Sequence, residues 1–234
     1  MCVITGILYP ARCVMCNEVI GGGRTVCCQT CREKLPFIRE PRCYKCGKAL
    51  EDMTQEYCLD CTKKKHFYTR GIALWGYNEQ VKQAVYRYKY KNQRVYAGYF
   101  ADELVQNCGA VIRSWGADML IPVPLHRARY RKRGFNQAQL LAEKMSQQLR
   151  LSVCPHAVGR VRNTRPQKEL NDKERQKNLK SAFIIDENSV KLKKIILVDD
   201  IYTTGATVDA IAELLLRAGA LQVYVVTLCI GRGY

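Results

Sequence analysis

The chain has 234 residues, 47 % hydrophobic and 25 % charged, which suits one globular domain with a small appendage and excludes disorder along the whole length. Its formal net charge of +17 suits a polyanionic partner (phosphate, pyrophosphate or nucleic acid) and equally describes a solvated basic surface. No apolar run approaches the roughly 18 residues needed to cross a bilayer, and the start MCVITGILYPARC shows neither a basic leader nor a small-residue cleavage site, so the expectation is a cytosolic protein without a membrane span.

Ten of the 13 cysteines precede residue 62, and eight of these form four Cys-x-x-Cys pairs. The pairs are Cys13/Cys16, Cys28/Cys31, Cys43/Cys46 and Cys58/Cys61, each starting 15 residues after the last. Two intervening residues let both sulfurs of a tight turn reach one metal, and two such knuckles complete a tetrahedral thiolate site. Asn17 and Gly47, which follow the first and third knuckles, tolerate the left-handed backbone that such turns adopt. Charged stretches follow the other two. Odd and even knuckles therefore read as first and second halves of a ribbon. This gives two structural Zn2+ sites: Cys13, Cys16, Cys28 and Cys31 at one, and Cys43, Cys46, Cys58 and Cys61 at the other. Cys27 could replace Cys28 by a small shift. Redox motifs of the thioredoxin type occur singly after a strand, not four times in series. The module is expected over residues 1–66, leaving 67–234 for the second domain.

GIALWGYN (71–78) reads as a strand, followed by a stretch with helical periodicity in which Val81, Val85 and Tyr88 share a face and a break falls near Asn92 and Gln93. Within it, YRYKYK interleaves tyrosines with Arg87, Lys89 and Lys91. That pattern can stack bases while neutralising phosphates, and it equally describes an amphipathic helix with half-buried tyrosines. DMLIPVP (118–124) is a buried strand stopped by prolines. A basic loop holding Arg127, Arg129, Arg131, Lys132 and Arg133 follows, then a helix with Ala138, Leu141, Met145 and Leu149 inward. Residues 126–180 carry 15 Lys and Arg against 4 Asp and Glu.

IILVDDIYTTGATVDA (195–210) is the segment where chemistry concentrates. Ile195 to Val198 form the continuous apolar run of a central parallel strand, with Asp199 and Asp200 at its carboxyl end. Thr203, Thr204, Gly205, Ala206 and Thr207 make a small-residue turn into a helix, and VYVVTL (223–228) is the next strand. Ligands of such sheets sit beyond the carboxyl ends of the strands, beside helix N-termini. The turn offers amides and hydroxyls to a phosphate, but it lacks the glycine spacing and lysine of a Walker loop. The paired acids can accept hydrogen bonds from vicinal ribose hydroxyls.

These residues resemble the phosphoribosyltransferase family, which implies an α/β fold of type I with helices on both faces of a parallel sheet. The resemblance implies that Asp199 and Asp200 meet the ribose 2′ and 3′ hydroxyls of phosphoribosyl pyrophosphate, that residues 203–207 bind its 5′-phosphate, and that Mg2+ arrives with the pyrophosphate. Together with IPVPLHRARYRKRGFNQA (121–138), RVRNTRPQKELNDKERQKNLKSAF (160–183) and the four knuckles, the chain is similar to the ComF family. That likeness implies a cytoplasmic bacterial protein of competence, handling incoming single-stranded DNA and reaching the inner face of the membrane through a protein partner of the competence machinery. It implies that the backbone of Pro122, Val123 and Pro124 holds pyrophosphate. It further implies that 160–183 closes over it, with Arg162, Arg165, Lys168 and Arg175 as candidate contacts. Two further roles stay open: active transfer to an unidentified acceptor, and non-catalytic sensing of the sugar phosphate.

Overall fold

The computed structural model describes residues 10–21, 26–161 and 181–231. The first two elements are single-turn helices, α1 (Gln29–Glu33) and α2 (Leu59–Lys63), each starting just after a cysteine in extended backbone, Cys28 and Cys58. Strand β1 (Arg70–Gly76) is shorter than its apolar run, because Asn78 turns away to cap helix α3 (Glu79–Tyr90), its side-chain oxygen accepting from the Val81 amide at 2.9 Å. After the left-handed residue Asn92, helix α4 (Tyr96–Ser114) continues.

Strand β2 (Met119–Pro122) leads into helix α5 (Arg127–Arg133), where the sequence reads as a basic loop. The helix forms because His126 caps it, accepting from the Ala128 amide at 3.2 Å, and Gly134 stops it in a left-handed conformation. It buries no residue of its own. Helix α6 (Gln137–Leu149) buries Ala138, Leu141, Met145 and Leu149. Strand β3 (Ser152–Val153), an antiparallel pair β4 (Val158–Arg160) and β5 (Phe183–Ile185), and helix α7 (Glu187–Val190) precede the long strand β6 (Lys194–Tyr202). Helix α8 (Ala206–Arg217) and strand β7 (Gln222–Ile230) complete the chain order.

Five strands form one parallel sheet in the order β1-β7-β6-β2-β3. Because side chains alternate along a strand, β6 sends Ile196 and Val198 to one face and Ile195 and Leu197 to the other. The first face is covered by α3, α4 and α6, the second by α8. Trp75 on β1 meets Phe100 of α4 edge to face, with centroids 5.7 Å apart. Truncating either of these fully buried rings to alanine would cost about 3–5 kcal/mol.

An exposed edge strand invites unwanted pairing. At β1 the cysteine-rich segment covers that edge. The Ile38 amide donates to Leu74 O at 3.0 Å, Gly76 to Pro36 O at 2.8 Å, and Gly71 to Lys45 O at 2.6 Å. Gly47 (φ +77°) lies so close to β1 that an added Cβ would stand 2.7 Å from the Ile72 Cα. Glycine is needed there twice, for the turn and for the approach. The result is a parallel α/β sheet with helices on both faces and the cysteine-rich segment sealed onto one edge.

Candidate functional site

The acid pair lies in the carboxyl-terminal half of β6, which runs two residues beyond Asp200 to Tyr202. Asp199 is half-buried and Asp200 is only 4 % exposed. One Asp199 oxygen accepts from the Asp200 amide at 2.8 Å. Asp200 Oδ2 stands 2.6 Å from Lys89 Nζ, which reaches across from α3. Burial, and next the like charge of Asp200, push the Asp199 carboxyl up to about 8. A carboxylate so disfavoured in its charged form gains from any partner that stabilises the anion, such as a hydroxyl donor or a cation.

Beyond the acids, Thr203 and Thr204 are exposed and Gly205 is buried. Gly205 (φ +72°) is the residue before α8 and has no side chain with which to cap it. The first-turn amides therefore point out of the helix end toward the turn, and Thr204 Oγ1 accepts from that of Ala206 at 3.4 Å. A side chain at Gly205 would collide with the ring and hydroxyl of Tyr202, which lies directly beneath. That hydroxyl in turn meets Tyr68 Oη at 2.8 Å.

The turn after β2 lies alongside. Pro122 is in register with Val198, and the Val123 amide donates to Val198 O at 2.9 Å, so Pro122–Pro124 abut the strand end that carries Asp199. Buried Asn136 clamps this turn, donating to Val123 O at 3.1 Å while its oxygen caps α6 through the Ala138 amide at 3.0 Å. Arg160 enters from β4. Burial lowers its guanidinium, the Arg129 charge lowers it further, and Asp199 opposes both. Arg160 of β4 thus lies within electrostatic reach of both Asp199 and Arg129 of α5.

The cysteine sulfurs gather in two sets, each with all its ligand atoms within 4.8 Å of one another: Cys13, Cys16, Cys28 and Cys31, then Cys43, Cys46, Cys58 and Cys61. Cys27 stands outside the first set, its thiol donating to Cys28 O at 3.6 Å, and burial pushes it up to about 12. Four soft thiol donors at this spacing fit Zn2+. Cys13 also accepts from the amides of Met15 and Cys28, each at 3.4 Å. Against the opposing effect of burial, backbone donors hold it down to about 6. In the second set, hydrogen bonds from Cys46, Cys58 and Cys61 hold Cys43 far below the usual thiol range, while bonding to Cys43 pushes Cys46 and Cys61 far up. So crowded a set can ionise throughout only around a cation.

The first set packs with α3 and α4. Arg87 of α3 donates to Val14 O at 3.1 Å and to Met15 O, Gln80 donates to Cys31 O at 3.2 Å, and Arg32 pairs with buried Glu103 at 3.1 Å. The second set packs with α8 and Tyr202 on the opposite face. Here Asp209, in the first turns of α8, receives the His66 ring at 2.6 Å, the Phe67 amide at 3.1 Å and Lys64 at 3.3 Å.

Of the basic residues singled out by pattern, Arg87 is thus occupied by the first knuckle and Lys89 by Asp200. Lys91, Arg127, Arg129, Arg131 and Lys132 are exposed. Arg133 lies over the Tyr90 ring at 4.7 Å and donates to its hydroxyl at 2.7 Å, with exposed Tyr86 beside it. Arg162, Arg165, Lys168 and Arg175 fall outside the described residues. Pattern reading passed over Arg160, Asn136, His66, Tyr68 and Asp209. Only Asn136 left a local trace, as an asparagine just before an apolar helical run.

Comparison with known proteins matches residues 4–62 to the double zinc ribbon domain and residues 136–233 to the phosphoribosyl transferase domain. The DNA utilization protein YhgH of Salmonella typhi is 36 % identical over 163 residues, spanning 68 % of this chain and 71 % of that protein. Competence protein F of Haemophilus influenzae is 31 % identical over 70 % of this chain and 73 % of its own length. The chain belongs to the ComF family. Competence protein ComFC of Bacillus subtilis is 32 % identical over 63 % of this chain and 58 % of that protein. The ComF pairing of ribbon and transferase domain is what the sheet and the two cysteine sets display here. Among the described residues no helix is long and apolar enough to cross a membrane.

Proposed function

We infer that this ComF protein binds phosphoribosyl pyrophosphate with Mg2+ at the carboxyl edge of β6 and β2, and that it acts in DNA uptake by handling single-stranded DNA. One observation carries the first part: the acid pair, the Thr203–Thr207 turn and the Pro122–Pro124 turn share one edge of two hydrogen-bonded parallel strands. In this reading Asp199 and Asp200 take the ribose hydroxyls, the turn amides take the 5′-phosphate, and the Pro122–Pro124 backbone with Arg129 and Arg160 takes the pyrophosphate. Mg2+ would arrive with the pyrophosphate and would supply charge neutralisation beside Asp199 and Asp200. Lys89 must then exchange Asp200 with the ligand, so occupancy would register at α3. Calorimetry with the ligand and Mg2+ tests this: the wild type should bind, Asp199→Asn/Asp200→Asn should lose at least about tenfold in affinity, and equal binding by both would remove the assignment. Pyrophosphate release against a panel of nucleobases separates transfer from binding alone.

The DNA part is supported by the names of the Salmonella and Haemophilus relatives and by the surface where Tyr86 and Tyr90 of α3 adjoin Lys91 and Arg133, the last residue of the basic helix α5. Stacking faces beside phosphate-neutralising charges suit a single strand. Substituting Arg131 and Lys132 by alanine should reduce the salt slope of single-stranded DNA binding by about 2. An unchanged slope would put the strand elsewhere.

A further inference from the structure

Two chains of contact run from the second cysteine cluster to the phosphate turn. The first leaves the Cys58/Cys61 knuckle through the segment after α2. Lys64, His66 and the Phe67 amide all close on Asp209, which is 6 % exposed and whose own amide donates to Gly205 O at 2.9 Å. The second leaves the Cys43/Cys46 knuckle through Lys45, which lies 5.4 Å from the centre of the Tyr68 ring. Tyr68 stacks on His66 at 5.1 Å and holds Tyr202, whose hydroxyl supports Gly205 from below. Both routes end on the same residue of the turn. A buried carboxylate that satisfies three donors is costly to disturb, because each donor would be left unpaired out of water. Among the described residues the first cluster reaches the site only at one remove, through α3 and Lys89.

We propose that Asp209 is a positioning residue through which the second four-cysteine cluster holds the Thr203–Thr207 turn in its anion-binding shape, so that zinc occupancy of that cluster and sugar-phosphate binding are coupled. The ligand part rests on the site assignment made above; the effect on the turn itself does not. Zinc draws four thiolates together and fixes the positions of both knuckles. With the knuckles fixed, Lys64, His66 and Tyr68 hold one arrangement, and the start of α8 is clamped against them. Loss or oxidation of the thiolates frees the segment after α2, and the turn loses its backing from two sides. Coupling of this kind is reciprocal.

The test uses the full-length zinc-loaded chain. Amide hydrogen exchange over residues 203–207 is compared in wild type, Asp209→Asn and Tyr68→Phe, with zinc measured on the same samples. Exchange should quicken on the order of tenfold in Asp209→Asn with both zinc ions retained, and Tyr68→Phe should move it in the same direction. Phosphoribosyl pyrophosphate with Mg2+ should bind Asp209→Asn about tenfold more weakly. In a Cys16→Ser background, where the second cluster holds the remaining zinc, the same ligand should slow zinc loss to a chelator by a similar factor, and Asp209→Asn should abolish that protection. Exchange within twofold of wild type in both variants overturns the proposal, and so does ligand binding that leaves zinc loss unchanged. If the wild type binds no ligand, the site assignment falls, and the exchange comparison still decides this inference.

Discussion

The two cysteine clusters share a spacing, a ligand set and a ribbon, yet they pack on opposite faces of the sheet against different elements. The first packs on α3 and α4, leaves Cys16 exposed, and is held by hydrogen bonds from Arg87 and Gln80 to knuckle carbonyls. The second buries Cys43, Cys46 and Cys58 against α8 and backs the turn that follows β6. Identical metal chemistry in two neighbouring ribbons is therefore no guide to equal roles. What each cluster packs against decides what its loss would do.

Breaking the second cluster gives the largest expected effect. Cys46→Ser should lose one equivalent of zinc and lower the Tm by on the order of 10 °C. Cys16→Ser should lose an equivalent too, with a drop of about half that size. Equal drops, measured by scanning calorimetry alongside zinc analysis, would erase the distinction. Next comes the link on the first cluster's face. Lys89→Met leaves Asp200 buried without its cation and should cost about 3–5 kcal/mol in chemical unfolding; Lys89→Met/Asp200→Asn should recover most of that.

Gly205→Ala probes the second cluster's side more gently. It forces a side chain into a left-handed position above Tyr202 and should cost about 1–3 kcal/mol, and Tyr202→Phe should not relieve it, since the ring itself is in the way. The smallest effect concerns Asp199. Burial, and next the charge of Asp200, push its folded-state carboxyl up to about 8, so the native chain should keep a proton that the unfolded chain releases above about pH 4. Stability from this group is therefore lost as pH rises from there through about 8. Asp199→Asn should flatten that slope and melt higher than wild type at pH 8. A parallel pH profile for the two proteins would show that Asp199 ionises freely.

Much of this molecule could be read along the chain. The period of fifteen groups the cysteines in the same way as the fold gathers their sulfurs. The apolar run at 195–198 became the centre of the sheet because a strand buried on both faces has no polar side to alternate with. The basic run at 127–133 misled as a loop, since a helix that buries nothing carries no apolar period and its cap, His126, is an unusual one. Lys89 read as one cation among several in a tyrosine-rich helix; only the approach of α3 to β6 made it the partner of Asp200.

What the sequence determined by itself were the features whose cause is local: thiols two residues apart, an apolar run ending in acids, a small-residue turn before a helix. The tertiary structure decided what depends on distance across the chain. It set each cysteine cluster on its own face of the sheet, brought Arg160 toward Arg129 and Asp199, and closed His66 and Lys64 on Asp209, 143 residues away from His66. No spacing rule encodes such meetings, because a buried charge finds its partners through the packing of whole elements rather than through neighbours in sequence.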